Sequence, residues 1–206
     1  MNLITLSFTP AAANLIGYAE NVTGATWTLT ATTANDSLAH LTTIRNDAAT
    51  DHSAKTALIT GTDADGNAQT ETQALPGASL TTTGSKYFKT ISSIVPSATI
   101  GADTMDLGWS AVAVSQTVPL NYRANPFSCS LGVIVTGTIN YTVQHTFQDI
   151  YLAFPSTLKW YSQMTLVTAT ADDDSNYAFP VRGTRLLINS VTAGATIKYI
   201  INQGWF

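Results

Sequence analysis

The feature that most constrains the fold is a strict alternation of large and polar residues between Gly137 and Phe147. Large side chains occupy every second position, namely Ile139, Tyr141, Val143, His145 and Phe147. The positions between them carry Asn140, Thr142, Gln144 and Thr146. Because successive side chains of a β-strand point to opposite faces of its sheet, the pattern predicts a half-buried antiparallel strand.

Shorter patterns of the same kind recur along most of the chain. They predict strands at 26–32, 56–62, 67–75, 86–95, 105–109, 131–135, 184–191 and 195–203. The Asp65-Gly66 pair predicts a hairpin between 56–62 and 67–75, and the turn at 192–194 predicts a second hairpin between the last two strands. Only 35–41 suggests a single helical turn, and no segment has the apolar spacing of a three-turn helix.

The composition favours the same fold class. The chain of 206 residues contains 34 threonines, which are β-branched and suit a pleated surface better than a helix. Charged residues make up 11% of the chain, against about 25% in a typical domain. No apolar run reaches the roughly 18 residues of a membrane-spanning helix. We therefore predict an all-β protein of two β-sandwich or jelly-roll-like units with predominantly antiparallel strands.

The predicted boundary between the two units lies at residues 118 and 119. There an apolar strand gives way to Val118-Pro119 and then to the polar segment 121–126. The prediction is an N-terminal unit of residues 1–118 and a C-terminal unit of residues 119–206. Leu3 to Phe8 alternates weakly and predicts an N-terminal arm that pairs with a neighbouring chain, since an unpaired strand edge invites strand addition.

The sequence argues against an enzyme. His145 is expected to be packed in its strand, and His52, in a polar loop, to be solvated. The chain has no nucleophile elbow, no phosphate-binding glycine motif and no paired metal ligands, and Cys129 is its single cysteine. We predict no catalytic, cofactor-binding or metal-binding residues and no cofactor. For the acidic run Asp172–Asp174 a solvated loop is favoured, and a divalent-ion site stays the alternative.

Charge and aromatic content point to protein partners. The net charge is −4 with no basic cluster, which disfavours nucleic acid, and the first residues lack a signal-peptide pattern, so we expect folding in a cytoplasm. Large interfaces are poor in charge and rich in aromatic residues, as this chain is. The candidate interface residues are Arg182, Arg185 and Trp160. A buried guanidinium needs several acceptors, and we expect a carboxylate or backbone carbonyls at a subunit boundary to hold at least one of the two arginines.

Two parts of the chain resemble a β module of virion proteins from tailed bacteriophages. They are Leu58–Thr72 with Lys86–Ile94 in the first half, and Asn140–Asp149 with Tyr177–Leu186 in the second. The similarity extends over most of the chain from about Trp27 onward. It implies a non-enzymatic structural component of the virion that is made in the bacterial host cytoplasm. The partners it implies are copies of the chain and other virion proteins, such as the major capsid protein.

Within that family the position on the particle is open. A capsid decoration or cement protein that assembles as a homo-oligomer is favoured, because a compact two-unit β protein without a fibrous repeat suits a surface clamp. A tail, neck or fibre-associated protein is the alternative. A carbohydrate-binding module for host recognition is a further alternative from another class, with Trp160 as the residue whose ring would stack on a sugar.

Overall fold

The computed structural model describes residues 2–151 and 158–204, and all regular structure in these ranges is β-strand. The strands are β1 (Asn2–Phe8), β2 (Asn14–Val22), β3 (Ala39–Asn46), β4 (Thr56–Thr62), β5 (Ala68–Ala74), β6 (Thr81–Phe88), β7 (Thr90–Pro96), β8 (Met105–Val114), β9 (Val118–Pro119), β10 (Cys129–Thr136), β11 (Ile139–Thr146), β12 (Tyr161–Ser162), β13 (Asp173–Tyr177), β14 (Gly183–Val191) and β15 (Thr196–Gln203). Their pairing is antiparallel, which confirms the predicted all-β class. In these ranges no helix is long and apolar enough to cross a membrane.

The chain divides into two compact units. The C-terminal unit contains Met1–Ala12 and Val114–Phe206, and the inserted unit contains Ala13–Ala113. The boundary differs from the predicted one at 118 and 119, because the chain already joins the C-terminal unit at Ser115, whose N–H donates to the carbonyl of Leu186 at 2.9 Å.

The N-terminal strand belongs to a sheet of its own chain, while the predicted pairing of this segment with a neighbouring chain stays a prediction. In the structure β1 pairs with β15 of its own chain over its whole length, from Asn2 opposite Gln203 to Phe8 opposite Ile197. This pairing places the first residues in the C-terminal unit. The backbone groups along one edge of β1 pair within the same chain, so β1 is an integral strand of this sheet.

The C-terminal unit is a β-sandwich. One sheet has the strand order β1-β15-β10-β13, and the other contains β12-β11-β14 with β9 beside β14. Its core is formed by apolar side chains that are at most 3% exposed, among them Leu131, Val133, Tyr141, Val143, Leu186, Ile188, Ile197 and Tyr199. Burial of each such side chain contributes about 1.5–3 kcal/mol, which makes this layer the main source of the unit's stability.

Two tight turns in this unit carry the chain from one sheet to the other. β10 and β11 are consecutive but lie in different sheets, and so do β14 and β15. The hairpin predicted at 192–194 is therefore wrong: the turn exists, with the N–H of Ala195 donating to the carbonyl of Thr192, but its strands do not pair. The N–H of Thr192 donates to the carbonyl of Thr138 at 3.0 Å, so the two crossings lie side by side.

The inserted unit is also built from antiparallel strands. One set has the order β5-β4-β7, and another has β8-β3-β6 with β2 beside β8. The hairpin predicted at Asp65-Gly66 is confirmed: β4 and β5 pair up to Thr62 opposite Ala68, and Gly66 has a φ of 87° that suits glycine. Asp63 closes this turn by accepting the N–H groups of Asp65 and Asn67 at 2.9 Å.

Two strand predictions in the inserted unit are wrong. Residues 26–32 contain no strand, whereas β2 was not predicted at all. The predicted strand 86–95 is two strands that meet near Lys89, with β6 paired to β3 and β7 paired to β4. Residues 35–37 form bends that lead towards β3 where a helical turn was expected, and Asp36 accepts the N–H of Leu38 at 3.0 Å.

We expect Gly61→Ala to destabilise the inserted unit. A Cβ at this position would lie 2.0 Å from the carbonyl oxygen of Thr90 on the paired strand β7, and that backbone cannot move without breaking the sheet. The expected loss in the free energy of unfolding is about 2 kcal/mol or more, measured by urea denaturation. The control is Gly132→Ala, whose Cβ would only meet the Cβ of Ile200 at 3.8 Å. Equal stability of the two variants would contradict this packing.

Candidate functional site

The clearest surface feature is a cluster of aromatic rings at one side of the C-terminal unit. There β12 and β13 are the outermost strands of their sheets, and the hydroxyl of Thr165, just after β12, donates to Ser175 on β13 at 2.9 Å. The rings belong to Phe147, Tyr161, Tyr177 and Phe179, and they surround His145. Strand pairing sets Tyr161 opposite His145, while Phe147 follows β11 directly.

The rings hold one another at distances typical of aromatic packing. The His145 ring lies 5.1 Å from Phe147, 5.0 Å from Tyr177 and 6.0 Å from Tyr161, measured between centroids. Phe147 in turn lies 5.6 Å from Tyr161 and 6.0 Å from Phe179. Aromatic pairs at about 4.5–7 Å each contribute roughly 0.5–1.5 kcal/mol beyond burial. The cluster is therefore fixed by many ring contacts.

Three of these rings are nevertheless half exposed. Phe147, Tyr161 and Phe179 keep 47%, 46% and 48% of their surface in solvent, whereas Tyr177 beneath them is buried. We call Phe147, Tyr161 and Phe179 the aromatic surface. Single exposed apolar residues are common, but adjacent exposed rings indicate a contact site for a protein or a ligand.

His145 lies beneath the aromatic surface and is uncharged at neutral pH. The residue is 7% exposed, and its Nδ1 is buried and has no hydrogen-bond partner among the described residues. Loss of solvation lowers the pKa of the imidazole, because burial disfavours its charged form. The prediction that His145 is a packed residue is confirmed.

Two of the predicted interface residues lie together. The guanidinium of Arg185 lies 4.0 Å from the centroid of the Trp160 ring, and its Nε donates to Oε1 of Gln144 at 2.8 Å. A cation over an indole face is attracted to it by about 0.5–2 kcal/mol, depending on solvation. The arrangement covers one face of Trp160 with a cation, so that face is closed to a stacking ligand.

Arg182 makes a separate set of contacts. Its Nη1 donates to Oδ2 of Asp149 at 2.8 Å, and its guanidinium lies 4.2 Å from the centroid of Tyr122. Both charged side chains are about a third exposed, at 31% and 32%, so solvent limits the ion pair to under about 1 kcal/mol. A carboxylate thus holds one arginine, as expected, while its position at a subunit boundary stays a prediction.

The acidic run Asp172–Asp174 does not converge on one point. Oδ1 of Asp172 accepts the N–H of Val135 at 2.8 Å, beside the edge of β10. Asp173 and Asp174 are exposed but lie in β13 and not in the predicted loop, and neighbouring residues of a strand point to opposite faces. In the part of the chain that the structure describes, no group of three His, Cys, Asp or Glu side chains is placed to hold a metal ion.

The other two histidines are buried in polar contacts. His52 is 3% exposed, so its predicted solvation is wrong: Nε2 lies 2.8 Å from Oδ2 of Asp103, and Nδ1 lies 3.0 Å from the ammonium of Lys55. The hydrogen bond from His52 lowers the pKa of Asp103. His40 is fully buried, with ring nitrogens 2.8 Å from Ser110 O and from Asp36 Oδ2. His40 therefore links a loop to the strands β3 and β8, whereas the contacts of His52 link two loops.

The aromatic surface was not among the sequence-based candidates. Phe147 shares the alternating face of His145, but Tyr161 and Phe179 come from later segments that the fold brings to the same side. The available signal was the spacing of Tyr177 and Phe179, two residues apart in a segment for which no strand was predicted. That spacing alone does not reveal that both rings meet β11.

No protein-family model matches the chain, and no curated protein or solved structure is significantly similar to it. The resemblance to virion proteins of tailed bacteriophages stays a prediction.

We expect the buried His145 to make stability depend on pH. In the unfolded chain the imidazole takes up a proton as the pH falls through about 6.5, whereas in the folded chain its lowered pKa delays protonation to lower pH. The unfolded state then binds more protons, so the free energy of unfolding decreases as the pH falls below about 6.5. Urea denaturation at pH 7.5 and 5.5 should show a smaller decrease for His145→Phe than for the wild-type chain.

This comparison isolates one histidine, because His40 and His52 are present in both proteins. The difference between the two pH dependences is expected to be at most about 1.4 kcal/mol per pH unit, the limit for one titrating group. An identical decrease in both proteins would show that His145 titrates alike in the folded and unfolded states.

Proposed function

We propose that the chain is a non-enzymatic structural protein of a tailed-bacteriophage virion, made in the host cytoplasm. We further propose that it decorates the capsid as a homo-oligomer. The observation that supports a role in assembly is the aromatic surface, three adjacent rings that are each about half exposed and fixed by their neighbours. The low charge content of the chain, 11%, agrees with surfaces that are covered in an assembly.

The aromatic surface suits a protein contact energetically. A buried aromatic side chain removes about 150–250 Å² from solvent, so covering the exposed halves of three rings hides on the order of 300 Å². At about 25 cal/mol per Å², this contributes on the order of 7 kcal/mol before the cost of association. Because the rings are already ordered, little side-chain entropy is lost on contact. Such rings are typical of the residues that dominate interface energies.

The proposed partner of this surface is a neighbouring virion structural protein, such as the major capsid protein. The C-terminal unit is a sandwich of short strands, which suits a clamp on a shell better than a long fibre. A tail, neck or fibre-associated position is the alternative within the same proposal. The two positions predict different locations of the chain in purified particles.

Carbohydrate binding is the second candidate function, because exposed aromatic rings also stack on sugars. Because Arg185 covers one face of Trp160, the rings expected to stack on a sugar are those of the aromatic surface and not Trp160. A glycan array with the wild-type chain and Tyr161→Ala tests it. Binding that disappears in the variant would favour host recognition over a purely structural role.

We expect the double variant Phe147→Ser, Phe179→Ser to fold but to lose its place on the particle. The two rings are about half exposed, but their removal also breaks ring contacts with His145, Tyr161 and Tyr177, so the melting temperature should fall by roughly 5–20 °C while the protein still folds. Tagged variants are supplied during infection, and their amount in purified particles is measured by immunoblot. The expected decrease in incorporation is at least tenfold.

The matched control is Leu80→Ser in the inserted unit, which removes an apolar side chain that is 61% exposed and lies outside the aromatic surface. It should be incorporated like the wild-type chain. Unchanged incorporation of the double variant would show that the aromatic surface is not the contact. Absence of the wild-type chain from particles would overturn the virion role itself.

A further inference from the structure

The outer edge of β1 has the properties of a strand-pairing site. β1 is the outermost strand of the sheet β1-β15-β10-β13, and its inner edge pairs with β15 over seven residues without a register shift. The outermost strand of a sheet presents a row of backbone N–H and C=O groups on its free side. A second extended strand can satisfy such a row by adding to the sheet.

β1 lacks the features that usually protect a sheet edge. Natural edges carry charged side chains, proline or bulges, or are very short. The segment Asn2–Phe8 contains no charged residue and no proline, its pairing is regular, and Leu3 is 63% exposed. It is also as long as an average strand.

Three other outer strands of the described chain are protected. β13, at the opposite edge of the same sheet, carries Asp173 and Asp174, and β12 has only two residues. In the inserted unit the carboxylate of Glu71 accepts the backbone N–H groups of Ser85 and Lys86 on β6. By contrast, β1 has none of these protections, so its edge is open to another strand.

We propose that β1 pairs with β1 of a second copy of the chain, antiparallel about a twofold axis at Thr5. This deepens the proposed function, because it names the surface through which copies form the homo-oligomer. A neutral strand meets its own copy without placing like charges opposite each other, whereas self-pairing of β13 would bring aspartates together.

The twofold axis at Thr5 follows from the strand itself. It pairs all seven residues of β1, sets Thr5 opposite Thr5 of the second copy and sets Leu3 opposite Ser7. It also places Ile4 opposite Leu6 of the second copy, so that the side chains of the inner face of one copy lie beside those of the inner face of the other. A contact between identical strands about a twofold axis closes on itself, so the product is a dimer and not a fibre.

Charge substitution at Thr5 tests the pairing. Thr5 is exposed, so Thr5→Lys should leave the fold intact while it sets two lysines opposite each other across the axis. In sedimentation experiments at low salt we expect the wild-type full chain to be a dimer and the dissociation constant of Thr5→Lys to rise about tenfold or more. Thr5→Glu should behave in the same way, and an equimolar mixture of the two variants should restore the dimer.

Ser130→Lys is the matched control, because Ser130 is exposed on the same sheet but on β10, between two other strands. It should remain a dimer. A cysteine at Thr5 gives an independent readout: Thr5→Cys should form a disulfide-linked dimer on oxidation, since Cys129 is buried and Thr5 faces its own copy. Ser130→Cys should stay uncrosslinked.

A monomeric wild-type chain at high concentration, or a Thr5→Lys variant that dimerises like the wild type, would overturn the inference. So would equal crosslinking of Thr5→Cys and Ser130→Cys. The virion role is judged separately by the presence of the chain in particles. A charge-dependent dimer that is absent from particles would therefore support the strand pairing and contradict the proposed function.

Discussion

The C-terminal unit depends on β15, a strand that lies between two other strands and pairs with both of them. β15 pairs with β1 on one side and with β10 on the other, so it joins the first residues of the chain to a strand that begins at Cys129. Its inward side chains Ile197 and Tyr199 are at most 1% exposed. The hydroxyl of Tyr199 lies 2.6 Å from that of Thr184 on the opposite sheet, which links the two layers by a buried hydrogen bond. In a chain with so few charged residues, sheet pairing and apolar burial supply the specificity that ion pairs do not.

Local patterns in the sequence predicted the positions of strands better than they predicted which strands pair with each other. The alternation around Tyr141 and the Asp65-Gly66 turn both have local causes, the two-residue period of a strand and the backbone freedom of glycine, and the structure confirms both predictions. The turn at 192–194 looks the same whether its strands pair or enter different sheets, because the choice depends on burial of Leu186 and Ile197 in a shared core. The partner of β1 lies almost two hundred residues away, beyond the reach of any local pattern.

The candidate site shows the same limit. His145 and Phe147 were placed on one face by their spacing, but the rings that complete the surface come from segments that only the sandwich brings together. Of the predicted interface residues, Arg185 and Trp160 do meet, whereas Arg182 lies apart from them and is bound by the carboxylate of Asp149. Which carboxylate an arginine reaches is decided by the packing of loops, and sequence distance is a poor guide to it.

Two surfaces of the C-terminal unit suit association, and their chemistry differs. The aromatic surface offers apolar area to a partner of another kind, while the edge of β1 offers backbone hydrogen bonds to an identical strand. The most direct test of a role in virion assembly is electron cryo-microscopy of phage particles purified from cells that produce the chain. The expected map contains paired β-sandwich units on the outside of the capsid, with Phe147, Tyr161 and Phe179 against the shell. A map in which these rings face solvent, or in which the units are missing from the particle, would contradict that role.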